Sequence, residues 1–180
     1  MVCMRIITGS FKGRRLSAPK GELVRPTSDR VREYIFSVLG DKVNGALVLD
    51  LFAGSGAMGL EAKSRGADQV CFVDISRPAL DSVRRNCEMI GFSAQIIKGN
   101  AVNVLDGLRE AFDLIFCDPP YRYPHMATIL QKIQELNRIK PEGLLVYESS
   151  ARNEAPRASG WQIVRQKKMG DTQVTFYQLE

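Results

Sequence analysis

Hydrophobic positions along this chain follow two rhythms, and the rhythms alternate. From residue 46 onward, short unbroken apolar runs take turns with segments whose apolar residues recur every three or four positions. Unbroken runs are expected of strands covered on both faces, and the 3.6-residue rhythm is that of amphipathic helices. The predicted strands are "ALVLDLF" (46–52), "DQVCFVD" (68–74), "SAQIIKGN" (93–100), "FDLIFCD" (112–118) and "PEGLLVYESS" (141–150). Between them lie predicted helices over 57–66, 76–91, 101–110 and 125–139. Ser76 is placed to cap the second of these, with Pro78 in its first turn, Gly91 at its end, and Leu80, Val83, Cys87 and Ile90 as its inward stripe. The tail, "WQIVRQKKMGDTQVTFYQLE", reads as a β-hairpin around Met169–Gly170–Asp171, its first arm interrupted by charge.

Before residue 46 the pattern differs. "MRIITG" and "GRRLSAP" read as two short strands around an "SFKG" turn, followed by an irregular link marked by Pro19, Gly21 and Pro26. "TSDRVREYIFSVLG" then predicts a helix capped by Thr27 or Ser28, striped by Val31, Ile35 and Val38, and stopped at Gly40. Repeated strand–helix units imply an α/β fold with a mostly parallel sheet and helices on both faces. Right-handed crossovers put the C-terminal ends of all parallel strands on one edge. Five strands and the terminal hairpin make seven. The expected division is a basic N-terminal hairpin arm and linker over 1–26 and one larger domain over 27–180.

Composition narrows the class. At 180 residues, 44% apolar and 25% charged, the chain suits one globular domain with a substantial core. No apolar run approaches the roughly 20 residues that cross a bilayer. The N-terminus lacks the layout of a signal peptide, so no membrane association and a cytoplasmic location are expected. Cys3, Cys71, Cys87 and Cys117 match no zinc or redox spacing, and with one histidine, His125, no metal is expected. Cys71 and Cys117 fall in strand-like runs and read as small buried hydrophobes. Residues 1–40 hold eight Lys/Arg against three Asp/Glu, whereas 41–180 hold 17 of each. The positive excess therefore belongs to the N-terminal segment and favours a polyanionic partner there over a merely solubilising arm.

Chemistry gathers on the edge where such sheets bind ligands. "DLFAGSGAMG" follows a strand and opens a helix; Gly54 and Gly56 permit a sharp turn and a close approach by a ligand. The loop is neither a complete dinucleotide fingerprint nor a Walker A motif, and Asp50 ahead of it repels phosphate but attracts an ammonium. Asp74 ends the next strand, where a carboxylate can accept both hydroxyls of a ribose; the alternative is a helix-capping or turn acid. "DPPY" ends the fourth strand. Asp118 and the carbonyls of Pro119 and Pro120 accept hydrogen bonds, neither proline donates one, and Tyr121 can stack on a base. Such a loop suits an incoming amino group, against the alternative of a rigid Pro-Pro turn. His125, at a predicted helix start, reads as a surface histidine rather than a base, and Trp161 and Tyr177 as packing residues.

These blocks carry a resemblance. "MRIITGSFKGRRL", "RPTSDRVREYIFSVL", "LDLFAGSGAMGLEAKSRGA" and "FDLIFCDPPY" are similar to the bacterial small-subunit (16S) ribosomal RNA guanine-N2 methyltransferase family, over almost the whole chain. "DPPY" alone is shared with adenine-N6 enzymes; the "RPTSDRVRE" block is the more specific. The resemblance implies a Rossmann-like class I methyltransferase fold and S-adenosylmethionine as cofactor. It implies cofactor contacts from Asp50, Phe52, Gly54 and Gly56 near the methionyl part, Asp74 at the ribose, and Asn100 and Ala101 at the adenine. Asn100 stands where the family usually has aspartate. Asp118, Pro119, Pro120 and Tyr121 would hold the target guanine. From the charge pattern, Arg5, Lys12, Arg14 and Arg15 on or near the first hairpin, with Arg25, Arg30 and Arg32, are the candidates for RNA phosphate contacts; the alternative for Arg30 and Arg32 is a local pair with Asp29 or Glu33. The implied partner is 16S ribosomal RNA within a small-subunit particle, met by a monomer. Two rival functions are an adenine-N6 methyltransferase of DNA or RNA and a non-catalytic RNA-binding assembly protein.

Overall fold

A computed structural model describes residues 4–19, 28–120 and 123–180. Tyr121 and Arg25, expected in the site, lie outside the described residues, as do Cys3, Gly21, Pro26 and Thr27. The elements in chain order are α1 (Asp29–Leu39), β1 (Leu47–Asp50), α2 (Ala57–Ser64), β2 (Gln69–Asp74), α3 (Arg77–Met89), β3 (Gln95–Lys98), α4 (Ala101–Gly107), β4 (Phe112–Cys117), α5 (Met126–Glu135), β5 (Ile139–Ser150), β6 (Trp161–Met169) and β7 (Thr172–Leu179). One seven-stranded sheet has the order β3-β2-β1-β4-β5-β7-β6. The first five strands are parallel; β7 returns antiparallel to β5, and β6 antiparallel to β7. This is the expected mostly parallel sheet with helices on both faces.

The sheet separates two apolar layers. On one face, Val31, Ile35, Phe36 and Leu39 of α1, Leu60 and Ala62 of α2 and Val83 and Cys87 of α3 pack on Val48, Val70, Phe72 and Phe116. On the other, Leu105 of α4 and Ile129, Leu130 and Ile133 of α5 pack on Leu49, Cys71, Val73, Ile115 and Leu145. Alternate residues of each central strand thus serve both layers, which is why those strands read as unbroken apolar runs. Each fully buried Leu, Ile, Val or Phe contributes roughly 1.5–3 kcal/mol. Trp161 and Tyr177 belong to the second layer; the indole N–H donates to Leu130 O (3.1 Å) and the phenol to Pro156 O (2.8 Å).

Three boundaries depart from the sequence pattern. The inward stripe of α1 runs through Phe36 and Leu39 with Val38 half-buried, because the helix meets the sheet about one residue-step round from the expected face. α5 ends at Glu135 rather than 139: Asn137 takes a left-handed φ of 53°, which a short polar side chain tolerates, and Ile139 already opens β5. β6 runs from Trp161 to Met169 despite its charges, with one register shift against β7 between Ile163 and Arg165, since it is the outer edge strand and its residues from Gln162 to Lys168 are exposed.

The N-terminal arm is a hairpin with one bridge, Arg5 to Arg15, and cross-bonds Ile6 N–H to Arg14 O (2.9 Å) and Leu16 N–H to Met4 O (2.8 Å). Its inner side chains, Met4, Ile6 and Leu16, join the first apolar layer. Polar contacts complete the docking. Glu61 on α2, fully buried, accepts from the N–H groups of Ile7 (2.7 Å) and Thr8 (3.0 Å). Asn86 on α3 exchanges hydrogen bonds with the backbone of Ser17 and donates to Ser55 O (2.9 Å). The arm therefore rests on the same core as the larger domain and is tied through Asn86 to the loop after β1. The expected division near residue 26 falls outside the described residues.

Candidate active site

The C-terminal ends of β1, β2 and β4 lie side by side. In register, Asp50 of β1 pairs with Phe72 of β2 and with Phe116 of β4. Asp74 and Asp118 each follow two residues later, one on either side of the central strand. Adjacent strands are about 4.8 Å apart, so the three carboxylates crowd one short stretch of the edge. No strand separates Asp50 and Asp74 from each other, or Asp50 from "DPP".

The glycine-rich loop spans the gap between β1 and α2. Gly56 adopts φ 81° as it enters α2, a conformation that a side chain resists, and its N–H closes a tight turn on Ala53 O. Gly59, within the first turn of α2, is needed for a different reason: a Cβ there would come within 2.3 Å of the Phe72 ring. The absence of that Cβ lets α2 lie close on β2 and brings the Gly59 N–H to Asp50 Oδ2 at 3.0 Å. Asp74 pins the loop from the other strand. Its Oδ2 accepts from Gly54 N–H and its Oδ1 from Ser76 N–H, both at 2.8 Å. Ser76 caps α3 as expected, accepting from Ala79 N–H. Asp74 is thus also a loop clamp, and each of its oxygens keeps a second lone pair for a ligand.

Asp50 carries the clearest electrostatic signature. It is 2% exposed, and its pKa rises from 3.8 to about 7. Burial is the main cause; Asp118 and Asp74 push in the same direction, and the Gly59 N–H opposes them. A cationic ligand at this edge relieves that strain, which matches a donor bearing a sulfonium and an ammonium. Because the folded pKa lies above the unfolded one, the folded chain binds an extra proton between about pH 4 and pH 7. The ligand-free protein should lose stability as pH rises through that window and level off above it. Denaturant midpoints at pH 5 and pH 8 test this: Asp50→Asn, which keeps an acceptor for Gly59, is expected to show the smaller fall. Equal falls in the two proteins would contradict the assignment.

Beyond β4 the chain turns at once. Asp118 is half-buried, Pro119 buried and Pro120 exposed. Pro120 O accepts from Tyr123 N–H (2.9 Å), whereas the Pro119 carbonyl accepts no hydrogen bond among the described residues. Tyr123 is a residue the sequence pattern did not single out. Its ring meets Phe52 edge-on at 5.1 Å and His125 at 5.6 Å, which links the turn after β1 to the turn after β4. The Tyr123 hydroxyl is buried with no hydrogen-bond partner among the described residues. A cleft of about 370 Å³ opens here between Tyr123, Tyr147, Asn153 and Glu154. Only the adjacency of β1 and β4 brings Phe52 and Tyr123 together, and no local spacing announces it.

Other expected residues take the following places. Asn100 is the N-cap of α4, its Oδ1 accepting from Val102 N–H at 2.9 Å; Ala101 is buried in the first turn. The cap occupies one lone pair of the Asn100 side-chain oxygen and leaves the other. Arg5, Lys12, Arg14, Arg15 and Arg30 are exposed, as phosphate contacts require. Arg32 is not: it is 0% exposed and donates to Arg5 O and Asp29 Oδ1, both at 2.7 Å. Of its two expectations, an RNA phosphate or a local pair with Asp29 or Glu33, the pair with Asp29 is the one formed, and Arg32 holds the arm on α1. His125 is exposed at the start of α5 without capping it. Among the described residues no group of His, Cys, Asp and Glu is arranged to hold a metal ion, and no helix is long and apolar enough to cross a membrane.

Comparison with known proteins adds relatives of full length. The profile of the family described as Conserved hypothetical protein 95 matches residues 4–178. YlbH of Bacillus subtilis is 37% identical over 180 residues, covering 97% of this chain and 98% of its own. The ribosomal RNA small subunit methyltransferase D of Escherichia coli is 32% identical over 179 residues, covering 98% of this chain and 90% of its own. The solved structure of yhhF from Escherichia coli superposes with a TM-score of 0.89 at 32% identity, covering 99% of both chains.

Proposed function

Because this chain belongs to the Conserved hypothetical protein 95 family, together with the small-subunit ribosomal RNA methyltransferase D, we propose a two-ligand reading of its sheet edge. The fold is the Rossmann-like class I methyltransferase fold, and the chain is an S-adenosylmethionine-dependent RNA methyltransferase. It methylates the exocyclic N2 amine of a guanine in 16S ribosomal RNA, and so serves ribosome biogenesis. The observation that carries the site reading is the row Asp74, Asp50, Asp118 across three adjacent strands, with Asp50 held at a raised pKa by burial and by its two acidic neighbours.

On this reading the β1–β2 half takes the cofactor. Asp50, Phe52, Gly54 and Gly56 surround its methionyl part, Asp74 accepts from the ribose hydroxyls, and Asn100 and Ala101 border the adenine. The bound cofactor supplies a methyl group already activated as an electrophile, so no covalent protein nucleophile is required. What the chain must supply is position and charge. The amine of guanine is a poor nucleophile because its lone pair is delocalised into the ring. Asp118 and the Pro119 carbonyl accept its two hydrogens and fix the lone pair towards the methyl group. As nitrogen becomes positive during attack, these oxygens stabilise it, and the proton then leaves to Asp118 or to water. Pro119 and Pro120 keep competing N–H donors out of the turn, and Tyr121 stacks on the base, which must leave its own stack to arrive.

The arm before residue 27 grips RNA phosphates through Arg5, Lys12, Arg14, Arg15 and Arg25, with Arg30 on α1. One basic arm on a small domain favours a preassembled surface, so the substrate is the RNA within a small-subunit particle, met in the cytoplasm by a monomer that works without metal. Equilibrium binding of labelled S-adenosylmethionine tests the cofactor half. Saturable binding by the pure protein is expected; its absence would favour an RNA-binding assembly protein without catalysis.

A further inference from the structure

The charge pattern along the sequence assigns the positive excess to the first 40 residues, but folding collects a second group. Residues 161–170 hold Arg165, Lys167 and Lys168 and no acid. They lie on β6, the outer edge strand, and all three are exposed. α1 crosses the sheet beside them. Its Asp29–Arg32 side faces the arm, where Arg32 bonds to Arg5 O. Its Arg30–Tyr34 side faces β6, where Lys167 Nζ stands 4.7 Å from the centre of the Tyr34 ring. Between them runs a groove of about 480 Å³ lined by Ser28, Arg30, Tyr34, Lys167, Lys168 and Met169. None of Arg30, Lys167 and Lys168 forms an ion pair with a described residue. Asp29, the acid on the same turn of α1 as Arg30, is already held by Arg32 at 2.7 Å. Glu33 and Asp171, further along α1 and at the hairpin turn, are the neighbouring acids.

The topology points this groove at the reaction. β6 runs parallel to β5, so its C-terminal end lies on the edge that carries Asp118. In register, Lys168 pairs with Gln173, which pairs with Ser149, two residues past the row that joins Tyr147 to Cys117. Three strand spacings separate β4 from β6, about 14 Å. A polyanion whose one nucleotide reaches Asp118 therefore passes within reach of Lys167 and Lys168. Exposed, unpaired cations in a groove that also offers an aromatic face suit a single-stranded phosphate backbone.

We propose that Lys167 and Lys168 form a second phosphate-binding surface that holds the substrate RNA backbone flanking the target nucleotide, on the opposite side of α1 from the N-terminal arm, with Arg30 on α1 bridging the two. This rests on the RNA methyltransferase function. The enzyme then straddles its substrate with two basic contacts rather than one, and the β6–β7 hairpin acts in positioning as well as in closing the sheet.

The test is labelled methyl transfer to unmodified small-subunit RNA by the full chain, comparing wild type, Lys167→Gln/Lys168→Gln and Arg109→Gln. Arg109 removes a charge from the opposite edge, ahead of β4. The double variant is expected to keep its melting temperature and kcat, while its KM for RNA rises about 5- to 10-fold and the slope of log affinity against log salt becomes shallower by about 1 to 2. Arg109→Gln should match wild type. An unchanged KM and slope in the double variant, or an equal change in Arg109→Gln, would overturn the proposal while leaving the function intact. A wild-type chain that transfers no methyl to RNA would instead overturn the function on which it rests.

Discussion

Asp118→Ala is expected to lower turnover by about 10²–10³-fold, the range seen when one preorganised electrostatic group is removed from a reacting centre. Its affinity for S-adenosylmethionine should hold, because the proposed cofactor contacts come from the ends of β1 and β2 and from the start of α4. Asp118 follows the end of β4, half-buried, with Cys117 held in the sheet against Tyr147. Removing its carboxylate leaves the strand and Pro119 in place and takes away the acceptor for the amine. It also removes one of the two like charges acting on Asp50, so cofactor affinity should, if anything, change little. Asp118→Asn keeps an acceptor oxygen without the charge and is expected to fall between. Single-turnover rates beside equilibrium cofactor binding separate the two effects. Near-wild-type turnover in Asp118→Ala with intact cofactor binding would remove Asp118 from the chemistry.

Glu61→Ala should destabilise the protein by about 3–5 kcal/mol, as is usual when one partner of a buried charge network is removed. For a chain of this size that is a drop in Tm of roughly 6–20 °C. Glu61 is fully buried, accepts from two N–H groups of the arm and pairs with Arg65 at 2.8 Å. It also acts electrostatically on Arg32, whose pKa is lowered by burial and held up by Glu61 and Asp29. Arg32 Nε and Nη1 have no hydrogen-bond partner among the described residues, so its charge depends on these carboxylates. Thermal unfolding followed by circular dichroism measures the loss. Limited proteolysis of the variant should cut first within residues 4–17, because two of the bonds that dock the arm are gone. A variant that melts like wild type would show that the arm is held by its apolar residues and its other polar contacts, without need of Glu61.

Both predictions concern contacts that were unequally visible in the sequence. The order of strands and helices was legible because the central strands are buried on both faces, so the apolar runs and their breaks have a single physical cause. Ser28 and Ser76 were legible as caps, since a serine ahead of an apolar rhythm has little else to do, and Ser28 does accept from Val31 N–H. Asp50, Asp74 and Asp118 were legible as an edge because parallel topology puts strand ends together. Their second duties were not. That Asp74 clamps Gly54, and that Asn100 caps α4, depend on loop paths that no periodicity encodes. Arg32 was legible in part: its pairing with Asp29 was one of two expectations, but its burial was not. A charged residue three positions from an acid on a helix usually pairs at the surface, and only the arm, packed from far away in sequence, buries it. Lys167 and Lys168 read as an interruption of a strand because sequence alone does not say that β6 is the outer edge, where one strand side has no partner.

The central claim is that "DPP" on β4 presents a guanine amine to a methyl donor held on β1 and β2. Its most direct measurement is the product. Unmodified small-subunit RNA, naked and within particles, is incubated with the pure enzyme and labelled S-adenosylmethionine, then digested to nucleosides and separated. Label in N2-methylguanosine, greater from particles, is the expected result; label in N6-methyladenosine, or none in either RNA, would contradict it.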